Sequence, residues 1–148
     1  MIEEKTNNSI EILLVEDSPG DQRLTMEALK EGKINNNLYI VEDGEEAIAF
    51  LNKERPFTNV PKPDLILLDL NLPKMNGQEV LEIIKADKKL KRIPVVILTT
   101  SQADEDILNA YNLNANCYIT KPVDFDQFIH VVKKIQEFWF TIVRLPEK

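Results

Sequence analysis

Cysteine is almost missing from this chain. The one thiol, Cys117, excludes an intrachain disulfide and any thiolate metal cluster built by a single copy, and it suits a reducing compartment. In a strand-like apolar run it reads as a small buried residue. Histidine is equally scarce: His130 lies on the final amphipathic stretch and fits a surface or interface position better than a phosphoryl carrier. No apolar run approaches a membrane span, and the opening MIEEKTNNSI is acidic and polar where a secretory signal would be basic and then apolar. An excess of cations is missing too. With 18 Lys and Arg against 25 Asp and Glu, the net charge is −7 and the isoelectric point is near 4.8. That argues against a nucleic-acid surface and suits a soluble protein. The expectation is therefore a cytoplasmic protein with neither a nucleic-acid nor a membrane partner. At 148 residues and 43% hydrophobic content the chain can bury one ordinary core. We assign a tail at 1–9, one domain at 10–143 and a tail at 144–148.

No repeat or low-complexity linker is present, but short apolar runs alternate with helical patterns. The runs are IEILLV (Ile10 to Val15), LYIV (Leu38 to Val41), LILLDL (Leu65 to Leu70), VVILTT (Val95 to Thr100) and CYIT (Cys117 to Thr120). They are rich in Val, Ile and Leu and mostly unalternated, as parallel strands covered on both faces should be. Between them, apolar residues recur with a period near 3.6: Leu24, Ala28 and Leu29; Ala47, Ile48 and Leu51; Val80, Leu81 and Ile84; Ile107, Leu108 and Tyr111; and a long series from Phe125 to Ile142. Ser18 as N-cap, Pro19 at the first helical position and Asp21 at capping-box spacing mark the first helix start. The long connection NKERPFTNVPKPDL, with three prolines, reads as a surface loop without chemistry of its own. The fold class is α/β: a doubly wound five-stranded parallel sheet with five helices.

Ligands of such sheets bind beyond the carboxyl ends of the strands, where strand order reverses. The polar residues that interrupt the runs all fall on that edge: Glu16 and Asp17 after the first, Asp69 in the third, Thr99 and Thr100 in the fourth, Lys121 after the fifth. With the flavodoxin-like order 2-1-3-4-5, three carboxylates converge while Thr99 and Lys121 approach from the other side. Crowded carboxylates repel unless a hard cation neutralises them, and Mg²⁺ takes such oxygen ligands, with the backbone carbonyl of Asn71 available to complete the set. A carboxylate beside Mg²⁺ is also a competent nucleophile towards phosphorus, which gives Asp69 a reason to sit in an apolar strand. The Thr99 hydroxyl and the Lys121 ammonium are stabilisers that phosphoryl transfer requires.

The acidic pair in LLVEDS, the acceptor in LLDLNLPKMNG, the hydroxyl in VVILTTS and the lysine in YITKP resemble the response-regulator receiver domains of two-component signalling. The resemblance spans almost the whole chain. It implies that a histidine kinase phosphorylates Asp69, and that Glu16 and Asp17 hold Mg²⁺ together with Asp69 and the Asn71 carbonyl. It also implies that Thr99 senses the phosphoryl group and Lys121 pairs with it. Tyr118 matches the family's switch aromatic, turning inward on phosphorylation, and Lys121-Pro122 matches a dipeptide whose peptide bond is usually cis. A narrower resemblance, carried by FLNKERPFTNVPKPDLILLDLNLPK, IPVVILTTS, NCYITKP and FWFTIVRLP, is to the stand-alone regulators of bacterial phytochrome-type histidine kinases. That group implies a homodimer formed through the face of the fourth helix, fifth strand and fifth helix. Consecutive Phe138, Trp139 and Phe140 agree with this, since three neighbouring aromatics cannot all reach one core.

Each residue also has a plainer reading. Asp69 alone would be a turn carboxylate, Thr99 a β-branched strand residue, Tyr118 half-buried packing. Asn71 either serves the turn or tunes the phosphoryl lifetime. Ser101 is either a second lifetime tuner at the edge of the site or an exposed serine at a helix start. Among rival functions, a Mg²⁺-dependent aspartyl phosphatase would carry an acid two residues after the nucleophile, where this chain has Asn71. The acidic EDSPGDQ loop argues against a flavin site, since a phosphate cradle would present small residues and backbone amides there. A phosphorelay intermediate and a phosphorylation-independent scaffold share the fold. The complete set of site residues favours a phospho-accepting switch, with only self-catalysed phosphoryl chemistry, over a turnover enzyme.

Overall fold

Unalternated runs of Val, Ile and Leu are stable only where both faces of a sheet are covered. The computed structural model, which describes residues 9–99, 117–120 and 125–138, arranges them in that way. Strands β1 (Ile10–Val15), β2 (Asn36–Val41), β3 (Leu65–Asp69), β4 (Val95–Thr99) and β5 (Cys117–Thr120) form one parallel sheet in the order β2-β1-β3-β4-β5. The described helices are α1 (Pro19–Glu31), α2 (Gly44–Leu51), α3 (Gly77–Ala86) and α4 (Phe125–Phe138). The helix expected around Ile107 to Tyr111 lies outside the described residues.

Alternate strand residues feed two cores. Leu13, Val15, Ile66, Leu68, Val95 and Ile97 pack with Ala47, Phe50, Val80, Leu81 and Ile84 of α2 and α3. On the other face Ile12, Leu14, Leu65, Leu67, Val96 and Ile119 pack with Ala28 and Leu29 of α1 and Phe128 and Val132 of α4. Local signals fix the helix starts. Ser18 accepts the Asp21 amide and Asp43 accepts the Glu46 amide; the reciprocal capping box occurs at α3, between Asn76 and Glu79.

Two expectations need correction. The second strand begins two residues earlier than LYIV, and it is not covered on both faces: it is an edge strand, with Leu38 and Tyr39 half-buried and Ile40 exposed. Parallel sheets still need edges, and an edge strand has only one neighbour to shield it. The proline-rich connection is not purely a surface loop. Phe57 and Val60 pack onto the α2/α3 core, the Phe57 ring lies 5.4 Å from that of Phe50 in a tilted arrangement, and Pro63 is buried. The Arg55-Pro56 bond within it is cis.

Candidate functional site

Strand order alone makes the site. Because β1 and β3 are neighbours with Val15 paired to Leu68, the next residue on each strand, Glu16 and Asp69, emerges at the same level of the carboxyl edge. Glu16 and Asp69 are buried, at 1% and 3% exposure, while Asp17 faces solvent. One carboxylate oxygen from each lies within 4.8 Å of the other two.

Backbone and neighbouring side chains hold this cluster in place. The Glu16 amide donates to the Val41 carbonyl at 3.0 Å, and the Ser18 amide donates to Glu16 Oε2 at 3.2 Å. From α1, Gln22 Nε2 donates to the Glu16 carbonyl at 2.7 Å and to Glu42 Oε2 at 3.1 Å. Asp69 Oδ1 accepts the Asn71 amide at 3.1 Å, so the turn after β3 orients the carboxylate. That turn is closed by the Gly77 amide on the Leu70 carbonyl at 3.0 Å. A Cβ at Gly77 would overlap the Asp69 carbonyl, and one at Gly44 would overlap the Met75 carbonyl. The β3–α3 loop is thus pressed onto the start of α2, with Lys74, in a left-handed conformation, 3.7 Å from Asp43. Gln22, Lys74 and the two close-packed glycines are site-supporting residues that the sequence did not single out. Only the Gly of PKMNG carried a signal, its place at the end of a motif; Gln22 acts six residues along the chain from Glu16, a relation without a pattern.

The donor set fits a small hard cation: three carboxylates, two of them shielded from water, converging from two adjacent strands. Of the other expected site residues, Thr99 ends β4 one position beyond Leu98, the partner of Asp69, which puts its backbone at the same edge. Tyr118 on β5 pairs with Ile97 and is half-buried against the α2/α3 core, its hydroxyl oxygen already shielded from solvent. Phe138 closes α4. Lys121, Pro122, Ser101, Trp139 and Phe140 lie outside the described residues.

Residues 12–133 match the family described as response regulator receiver domain. The chain belongs to this family. Receiver relatives bear out the narrower likeness as well. The chain is 50% identical over 135 residues to the response regulator Rcp1 of Synechocystis sp., covering 91% of this chain and 92% of that protein. Among solved structures, the phosphorylated cyanobacterial phytochrome response regulator RcpA superposes with a TM-score of 0.74 at 50% identity, over 90% of this receiver and 95% of RcpA. The Mn²⁺-bound form of Rcp1 gives 0.74 at 49% identity, over 93% and 99%. No helix among the described residues of this receiver is long and apolar enough to cross a membrane.

Proposed function

We propose that this receiver is a Mg²⁺-dependent switch in which Asp69 accepts a phosphoryl group from a sensor histidine kinase. The observation that carries the reading is the convergence of Glu16, Asp17 and Asp69 at the carboxyl edge of β1 and β3. These three and the Asn71 carbonyl would hold Mg²⁺, which when bound neutralises the carboxylates and draws charge from the phosphoryl oxygens. An Asp69 oxygen attacks phosphorus; the new P–O bond forms as the P–N bond to the donor imidazole breaks, and the imidazole leaves after taking up a proton. Lys121 and Thr99 stabilise the charge on the equatorial oxygens. Asn71 and Ser101 set how readily water later attacks the acyl phosphate. Asn71 carries no acid to protonate a leaving group, which favours a switch over a phosphatase.

Phosphorylation draws Thr99 towards the phosphoryl group and turns Tyr118 inward, which reshapes the face formed by the helix expected around Ile107 to Tyr111, β5 and α4. Phe138, Trp139 and Phe140 make that face the homodimer contact. The likeness to Rcp1 and RcpA supports a phytochrome-type kinase as donor, a receiver domain over 10–143 and action in the cytoplasm.

Intact mass after incubation with Mg²⁺ and acetyl phosphate tests the reading, beside Asp69→Asn and a chelator control. One phosphoryl adduct, removed by hydroxylamine and missing from both controls, is expected. No adduct while the metal binds would leave a receiver-like scaffold.

A further inference from the structure

The opposite pole of the molecule is built with the opposite charge. Where the chain runs from α2 and α3 back to the amino ends of β3 and β4, a cleft of about 690 Å³ opens. Lys53, Lys62, Lys88, Lys89, Lys91 and Arg92 line it, all exposed, in a chain whose net charge is −7. Among the described residues none of the six forms an ion pair. The lining carboxylate, Asp87, is already engaged: its Oδ1 accepts the amides of Lys89 at 2.7 Å and Leu90 at 3.1 Å, capping the turn that presents the lysines. Six cations against the single Asp87 carboxylate leave the concavity with a net positive charge and focus a positive potential into it, an arrangement that an anion relieves.

We propose that this cleft binds a soluble polyphosphate-bearing anion of nucleotide size. The volume falls within the usual range for small-molecule sites, roughly 300–1,000 Å³, whereas an acidic protein surface would call for a broader, flatter patch. Four of the six cations come from one five-residue run, KKLKR at 88–92, and the other two face it from the α2 end and the approach to β3. Cations brought together from three separate segments suit a compact ligand with several charges. Buried Leu51 and Leu90 supply an apolar surface, and the side-chain carboxamide of Asn52 a hydrogen-bonding group, for a nucleoside attached to the phosphates.

Titration calorimetry in chelator, so that no metal recruits phosphate to the acidic pole, tests the site with ATP and with inorganic tripolyphosphate. One-to-one saturable binding is expected. It should weaken about tenfold or more in the triple variant K88Q/K89Q/K91Q but not in K30Q/K133Q/K134Q, which changes net charge equally elsewhere. Tighter binding of ATP than of tripolyphosphate assigns the nucleoside a place on the apolar surface; equal binding assigns the phosphate chain alone. The proposal is overturned by unsaturable binding, by equal weakening in both variants, or by an oligoglutamate peptide binding as tightly as the phosphates, which would make the cleft a protein-docking surface.

Discussion

Replacing Asp69 by Asn should stabilise the metal-free protein, although Asp69 is the buried last residue of a fully buried strand. Glu16 and Asp69 are both buried, and their nearest oxygens are no more than 4.8 Å apart. At an effective dielectric of about 20, two unit charges at that distance repel by about 3.5 kcal/mol. Asp17 adds a smaller, solvent-screened share. Asn preserves shape and leaves an oxygen to accept the Asn71 amide, so the substitution removes charge without opening a cavity. Allowing for relaxation, water penetration and the other interactions that both carboxylates make, which offset part of the repulsion, the expected gain is about 1 kcal/mol in chelator, or roughly 2–5 °C in Tm. Metal should narrow or close that gap. A divalent ion at ten times its dissociation constant stabilises the native protein by about 1.4 kcal/mol, and the variant, having lost a ligand, should gain much less. Urea unfolding of both proteins in chelator and in Mg²⁺ measures each effect. An Asp69→Asn protein no more stable than the parent in chelator, or one that responds to Mg²⁺ as the parent does, would refute the reasoning that the three carboxylates form a strained anionic site relieved by metal.

Phe128→Ala empties a fully buried position between α4 and the sheet and should cost about 3–5 kcal/mol by urea denaturation. Gly77→Ala forces a methyl group into the Asp69 carbonyl and should cost more than about 2 kcal/mol while slowing phosphoryl uptake from acetyl phosphate; unchanged uptake would show that the turn does not position Asp69. Burial, with the Glu11 carboxylate nearby, raises the Tyr39 phenol above its ordinary value of 10.0. A raised folded-state value means stability that is fully present below pH 10 and lost as pH rises through the higher folded value, so Tyr39→Phe should flatten the alkaline fall in unfolding free energy.

Much of the fold was legible because its signals are local. Ser18-Pro19 announces the first helix start by a hydrogen bond from the amide three residues on; Asp43 and Asn76 cap α2 and α3 in the same way, but only the structure identified them as caps. The run at Ile10–Val15 coincides with β1, which is buried at every position except half-buried Glu11, and the run at Cys117–Thr120 coincides with the edge strand β5. The start of β2 was less legible, since an edge strand tolerates Asn36 and Asn37 where a central one would not. Phe57 looked like a loop residue because its three proline neighbours dominate the local pattern, yet its ring lies against Phe50. The KKLKR run is plain in the sequence, but nothing there says that Lys53 and Lys62, distant along the chain, share a cleft with it.

The sequence by itself determined which residues carry the chemistry: an acidic pair after the first apolar run and one aspartate inside the third are unusual enough to mark a site before any coordinates. Their position at strand ends followed from the pattern as well. Only the tertiary structure decided that Glu16 and Asp69 are shielded while Asp17 stays wet, because burial depends on which helices and loops close over an edge. Only it revealed Gln22 gripping the Glu16 carbonyl, and the loop after β3 pressed by Gly77 and Gly44 against its neighbours. Composition and period are sums over local preferences, whereas a clamp or a cleft is made by segments that meet because the sheet order brings them together.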